Sequence, residues 1–466
     1  MEDIKSDFYS QLRSQLNAEV ECRSSSTTPF TEQEQHANAV LLKLKEAVTA
    51  NPHISTYELI HETKSLLETT DLYKAISDMP LGIVHHSHLP ASISKEFFLE
   101  LTYENNIYYN RSTGVLRCSK NGQGLISNGY AQLNELRRME TSEAVDGELM
   151  QLLSFNMKMF KGCCTSEIFS DFNSIFDFMY DILIYEPHFA RALENIVQNC
   201  LRDGYQGVET RHVLRSFVKA DYTKATLDEE VEFLAKQKAY LAEKYPDFQL
   251  NFIATSVKRL DRDHFISIAD VYAKSLTLYP GLITAYDMVD FEELRMLDEF
   301  IDDIIEYKHK YKGFNILLHA GETYSYSNNN IVIAAMLGSK RIGHGMTSLR
   351  SPATLDLLKK HDVCIEVNPL SNYMLGYCRD LRWHPAKQLI NYGVPFTINS
   401  DDNLFWGVEI GSFDFMLAVL YWDFDLRDLK WVIHNSFKYS SINKAGLKKA
   451  QRLFDAKWTE FIDKLS

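Results

Sequence analysis

The chain has 466 residues, 45% apolar and 24% charged, the proportions of an ordinary globular protein with room for a barrel-sized domain and an accessory piece. Its net charge of −14 argues against nucleic-acid backbones and anionic membranes as partners. No apolar run reaches the length of a membrane span, and the polar N-terminus MEDIKSDFYSQLRSQ lacks the apolar centre of a signal peptide, so a cytoplasmic location is expected.

Residues 1–78 read as a helical extension. Thr31-x-x-Glu34 is a capping-box pattern, the apolar-periodic run AVLLKLKEAV follows it, and a second helical pattern, TYELIHETKSLLETT, comes next. No Gly/Ser-rich linker separates this part from the main domain, residues 79–466, so it is expected to dock there. Its apolar stripe also offers a face through which two subunits could pair.

Eight short apolar runs then appear: LGIV (81–84), QGVET (206–210), LNFIAT (250–255), GLITAY (281–286), NILLHA (315–320), KRIGHG (340–345), VCIEVN (363–368) and PFTINS (395–400). Helical patterns such as LDEFIDDIIEYKHKY and SPATLDLLKKH lie between most of them. Strands alternating with helices predict a parallel sheet, and eight such units predict an α/β fold of the (β/α)₈ barrel type. The segment at about 90–200 reads as a mostly helical insertion over one barrel face (GELMQLLSFNMKMF, FNSIFDFMYDILIY), its Phe/Tyr-rich stretch EIFSDFNSIFDFMY spaced like core. The seven cysteines form no C-x-x-C pair, and adjacent Cys163–Cys164 read as packed thiols. The triplet Asn110-Arg111-Ser112 reads as a chance sequon.

Almost every predicted strand ends in a side chain able to do chemistry. The first ends in HHSH, with His86 and His88; the second in Glu209-Thr210-Arg211; the fifth in His319, with Glu322 just beyond. The sixth ends in His344, the seventh in Glu366-Val367-Asn368, and the eighth in Asp401-Asp402. In a barrel these strand ends share one mouth, so the residues converge. H-x-H on extended chain puts both imidazoles on one face. His86, His88, His319 and Asp401 together make three imidazoles and a carboxylate, a donor set suited to one zinc ion. His344, between Gly343 and Gly345, is placed to orient or deprotonate a water, and Glu322 to act as a proton donor. Glu209 and Arg211 either touch a ligand or form a buried ion pair under the mouth. Ser371 and Asn372 of NPLSN read as turn residues, and His85 as a packing residue.

His86-x-His88, His319-Ala-Gly-Glu322-Thr, Arg341-Ile-Gly-His344-Gly and Ser400-Asp401-Asp402 together resemble adenosine deaminases of the metal-dependent amidohydrolase superfamily. MPLGIVHHSH, VETR, AYDMV, IEVNPLSN and HPAKQLINYGVPFTINSDDNLFWG are most similar to the adenosine deaminase growth factor branch. The resemblance runs from about residue 79 to the C-terminus. It implies a zinc hydrolase that replaces the 6-amino group of a purine nucleoside with oxygen, releasing ammonia. Glu322 would protonate purine N1, His344 would serve the water, Asp401 would hold metal, and Asp402 would bond the N7 side. It also implies dimers formed through N-terminal helices.

Two places depart from the family pattern. Leu89 and Pro90 stand where an aspartate usually binds the ribose 5′-hydroxyl. Ala285 is read at the place of a glycine whose backbone N–H meets purine N3. The alternatives are therefore a deaminase of a 5′-modified adenosine such as methylthioadenosine, or of another amino-heterocycle, and beyond these a non-catalytic signalling protein.

Overall fold

The computed structural model describes residues 2–54, 60–155, 166–325 and 327–466, with side chains from residue 7 onward. Cys163–Cys164 and parts of two predicted helical patterns, 56–59 and 156–160, lie outside the described residues. Eight parallel strands fall on the eight predicted runs: β1 Ile83–Val84, β2 Gly207–Val213, β3 Gln249–Val257, β4 Ile283–Val289, β5 Leu318–Ala320, β6 Arg341–His344, β7 Cys364–Val367 and β8 Phe396–Ile398. Strands β1–β4 pair in order as one sheet and β5–β8 as another. Parallel bridges Tyr286–Ile316 and Ser87–Asp401 join the two sheets at both seams, which makes the barrel. Strands covered by helices outside and filled inside need apolar side chains on both faces. Accordingly, β3 is buried at every position but its first.

The barrel interior is unusual in what fills it. Ile253, Ala285 and Leu317, on or beside neighbouring strands, form a small apolar group apart from the main core. Fully buried Arg211, Arg341, Glu209, Glu366 and Asp287 take much of the remaining space.

The extension docks from Arg23 onward. Arg23 and Ser25 both bond Asp428 of the helix Leu426–Lys438. The capping box forms, with Thr31 and Glu34 bonded reciprocally, and starts the helix Glu32–Thr49. That helix buries Ala37, Leu41 and Val48. Glu34 also accepts from Lys430 Nζ at 2.6 Å and from Trp458 Nε1 at 2.7 Å. The first helix, Glu2–Glu21, is different: every described side chain on it is exposed, including Phe8, Leu12, Leu16 and Val20. The expected docking therefore holds for the second helix and not for the first.

The insertion is less helical than its sequence pattern predicts. Strands Ile107–Asn110, Val115–Cys118 and Ala131–Gln132 form a small antiparallel sheet. Its hairpin turns on Asn110, whose Oδ1 accepts from the backbone N–H groups of Ser112 and Thr113, and on Gly114 at φ 64°. The sequon-like triplet is thus turn chemistry. Asn110 Nδ2 donates to Asn128 O at 3.0 Å, so the amide is already engaged. None of the helices among the described residues is long and apolar enough to cross a membrane.

Asp203, at the end of the helix Glu186–Arg202, accepts from Ile410 N at 2.7 Å, and burial, with Glu409 adding to it, pushes its carboxyl up to about 7. A folded-state pKa above the unfolded value means stability present below about pH 4 and lost as pH rises through about 7. Asp203→Asn should therefore raise the melting temperature at pH 8 more than at pH 5, by a gain of at most about 4 kcal/mol. Thermal melts of both proteins at the two pH values check this.

Candidate metal centre and catalytic pocket

The C-terminal ends of β1, β5 and β8 bring His86, His88, His319 and Asp401 together, with one ligating atom from each inside a 4.8 Å cluster. His86 Nε2 lies 3.1 Å and His88 Nε2 3.0 Å from Asp401 Oδ1. His86 Nδ1 donates to Glu366 Oε2 at 2.8 Å, and His319 Nδ1 donates to Asp287 Oδ2 at 2.7 Å. Both ring protons are thereby used on the far side, which leaves Nε2 lone pairs toward the cluster. Neither His86 Nε2 nor Asp401 Oδ1 has a hydrogen-bond partner, although both atoms are buried. Lone pairs facing a carboxylate oxygen at this range repel unless a cation sits between them. Three nitrogens and one oxygen fit a borderline divalent ion. Asp401 is itself at φ 62°, a left-handed conformation that tolerates few side chains, and Ser371 Oγ donates to its other oxygen at 2.8 Å.

The ligands rest on an ion lattice. Arg211 donates to Asp287 and to Glu366, each at 2.6 Å, so one guanidinium ties the carboxylate behind His319 to the one behind His86. Arg341 donates to Glu366 at 2.6 Å and to Glu209 at 2.9 Å. Burial alone would raise Glu366 and Asp287, but the arginines and imidazoles hold both carboxyls well below the usual range. Two arginines face four charged carboxylates, counting Asp401, a net of −2 that a divalent cation neutralises.

Glu322 and Asp402 behave in the opposite way. Burial, reinforced by the charge of Asp401, pushes the Glu322 carboxyl well above the usual range, and Asp402 follows for the same reasons. In the polypeptide Glu322 is thus a carboxylic acid, able to donate. Glu292 positions it by accepting from Gly321 N at 2.9 Å and Glu322 N at 2.8 Å. Nothing in DFEEL marked Glu292 as special in the sequence. Asp402 precedes the short helix Asn403–Trp406 without bonding its N-terminus, and its Oδ1 has no partner. His344 Nε2 lies 3.7 Å from Glu322 Oε1 and 3.8 Å from Asp401 Oδ2. Gly343 makes room for His86, whose Cε1 would sit 2.8 Å from an added Cβ, so it serves the neighbouring ligand rather than His344.

These groups open into one shared cavity at the barrel mouth. The helix Ser166–Leu183 of the insertion roofs it with Phe169, Phe172 and Phe176. Phe172 stacks on Trp406 at 5.7 Å. The same helix buries Ile175, Phe178, Met179 and Ile182 in the core, so its aromatic pattern serves both the core and the pocket. Pro90 lines the cavity, and so do polar Asn173, Asp177, Arg215, Arg259 and Asp290.

Two expected contacts are not at the pocket. Ala285 sits inside β4 in the apolar group with Ile253 and Leu317, fully buried. The residue with glycine-like backbone is Asp290, past the end of β4, at φ 97° and lining the cavity. Its carboxylate accepts from Asn173 Nδ2, Arg259 and its own neighbour Phe291 N, contacts that hold a conformation few side chains adopt. Glu209 is also away from the cavity, bonded by Arg341, Ser440 and Ser441 in the barrel interior. Of the two readings of Glu209 and Arg211, the buried ion pair network is the one found, although Arg211 also reaches the cavity floor.

A sequence model described as adenosine deaminase matches residues 150–456. Adenosine deaminase 2 of Dictyostelium discoideum is 28% identical, covering 98% of this chain and 87% of that protein. Among solved structures, the N6-mAMP deaminase of Arabidopsis superposes with a TM-score of 0.61 at 14% identity, over 82% of this chain and 99% of that one. An amidohydrolase from Burkholderia ambifaria with bound Zn gives 0.59 at 15% identity, over 84% and 94%. The two structures share the fold.

Asp287→Asn should weaken metal binding about 10–100-fold, because the amide no longer draws the His319 proton away from the cluster as a charged acceptor does. Competition with a chelator of known affinity measures this.

Proposed function

Since the chain belongs to the adenosine deaminase family, we propose that it holds one zinc ion and hydrolyses the 6-amino group of adenosine or a closely related 6-aminopurine nucleoside, giving the inosine-type product and ammonia. The observation that carries this reading is one cluster of three imidazoles and a carboxylate, His86, His88, His319 and Asp401, with the Glu322 carboxyl beside it pushed toward its neutral form by burial. His86, His88, His319 and Asp401 would hold the metal, which supplies Lewis acidity and a water acidified to near neutral pH. Glu322 donates its proton to purine N1, which draws electrons from C6 and makes it open to attack. Asp402, also protonated, can donate to N7. His344 orients the nucleophile from the opposite side. Phe169, Phe172 and Phe176 exclude water and pack against the flat base.

The sugar end bears on the choice of substrate. Leu89 is buried and Pro90 carries no acceptor, yet Asp177 of the roof helix lines the cavity and makes no hydrogen bond or ion pair among the described residues. We assign Asp177 as the acceptor for a sugar hydroxyl in place of the aspartate missing after His88. Adenosine is then favoured over a 5′-modified substrate.

The exposed face of the helix Glu2–Glu21, with Phe8, Leu12, Leu16 and Val20 at four-residue spacing, supports a homodimer in which two copies cover each other there. Deleting residues 1–22 should convert a dimer to a monomer in sedimentation while leaving the barrel folded. A full-length monomer at micromolar concentration would remove this part of the proposal.

The catalytic reading is tested by a deamination screen of adenosine, 2′-deoxyadenosine, 5′-deoxyadenosine, 5′-methylthioadenosine and adenosine monophosphate, with metal content measured on the same sample. Expected are one zinc per chain and a kcat/KM for adenosine about tenfold above 5′-deoxyadenosine, the loss of roughly one hydrogen bond. Activity should fall as rising pH strips the proton from the raised Glu322 acid, at a pH above the ordinary carboxyl range. Glu322→Gln should retain zinc and lose about a hundredfold or more in kcat. Equal rates with 5′-deoxyadenosine would withdraw the role of Asp177, and no turnover of any substrate would withdraw the reading itself.

A further inference from the structure

The proton on His344 is set by a chain of hydrogen bonds that begins at the backbone. Ala386 N–H can only donate, and it donates to His384 Nδ1 at 3.2 Å. His384 must then carry its proton on Nε2, and that atom lies 3.1 Å from Asn372 Oδ1. The oxygen of Asn372 is thereby fixed as the acceptor, which turns its amide nitrogen toward His344. Asn372 Nδ2 lies 3.0 Å from His344 Nδ1. An amide N–H donating to Nδ1 requires a lone pair there, so the proton of the neutral His344 ring resides on Nε2. The far end is compatible: Nε2 lies 3.8 Å from Oδ2 of the charged Asp401, which an N–H suits better than a lone pair. Asn368 Nδ2 also reaches His344 Nδ1, at 3.3 Å, but its Oδ1 has no partner, so nothing anchors that amide and it follows the others.

His384 and Asn372 are built to transmit this polarity. Both are buried, and burial lowers the His384 imidazole to about 3, which keeps it neutral at any working pH. Its ring packs against Trp422 at 5.0 Å, and Trp422 Nε1 is in turn held by Leu381 O at 2.8 Å. The ring cannot turn over without losing both of its hydrogen bonds.

We propose that His384 and Asn372 are positioning residues that fix His344 as the Nε2–H tautomer, so that His344 acts on the nucleophile as a hydrogen-bond donor and not, in its neutral form, as a base. This rests on the deaminase reading above for the identity of the nucleophile, but the tautomer itself does not.

The test begins with a direct readout that needs no turnover. Zinc-loaded protein labelled with nitrogen-15 at the histidine rings is examined by long-range proton–nitrogen correlation, with the His344 signals assigned by their loss in His344→Gln. The expected spectrum has an unprotonated Nδ1 and a protonated Nε2; a protonated Nδ1 overturns the proposal. Two variants then separate positioning from packing. His384→Gln can still accept from Ala386 and donate to Asn372, and should keep the tautomer and kcat within about threefold. His384→Leu breaks the chain, and should mix the His344 tautomers and lower kcat about 10–100-fold with KM little changed. A His384→Leu protein with the wild-type spectrum and kcat overturns the proposal, as does a His384→Gln protein impaired equally. If the wild type turns over no aminopurine, the deaminase reading fails while the spectrum still decides the tautomer.

Discussion

Everything at the mouth of this barrel depends on one guanidinium. Arg211 bonds the carboxylate behind His86 and the one behind His319, and so sets the orientation of two rings that come from opposite sheets. A buried ion pair is weak evidence for stability, since desolvation offsets much of the attraction. Here the arrangement does something an apolar filling could not. It draws two ring protons to the far side and leaves an excess of negative charge on the near side. Buried charge of this kind takes the place of part of the branched apolar filling usual inside such a barrel.

The insertion completes what the lattice begins. The roof helix closes the cavity with aromatic rings on one side and buries its other face in the core, so its position is set by packing and not by ligand. Burial under this roof weakens the screening of the charges beneath it. Burial first, and the negative charge on Asp401 after it, push the Glu322 and Asp402 carboxyls upward. Asp290 links the roof to the barrel by accepting from Asn173 while bonded to Arg259, at a backbone angle that only such contacts sustain.

Much of this was legible in the residues. Eight apolar runs became eight strands, and it is past or at their C-terminal ends that His86, His319, His344 and Asp401 stand out. Less local features were not legible. The hairpin at Ile107–Cys118 was hidden in a long helical-looking insertion, although NRSTG is a turn signal in its own right. Ala285 was misplaced because strand length was judged from the apolar run; β4 continues to Val289, and the glycine-like backbone comes only at Asp290. Asn372 looked like a turn residue, and His384 carried no signal at all, because their pairing spans twelve residues and a helix. Asp177 carried no signal in a stretch read as core; it sits on the roof helix and lines the pocket.

Asp401 and Asp402 show most plainly how position rather than residue type decides chemistry. They are adjacent and both buried, and burial pushes each toward the protonated form. Asp401 is turned by its left-handed backbone onto His86, His88 and the hydroxyl of Ser371, and these hold it charged. Asp402 has no partner for Oδ1; burial raises its carboxyl most, and the charges of Asp401 and Glu322 add to it. The charge on Asp401 therefore adds to the burial that favours the neutral form of Asp402. A charged ligand and a neutral donor on consecutive residues are one electrostatic arrangement, and exchanging the backbone angle at residue 401 for an ordinary one would lose both together.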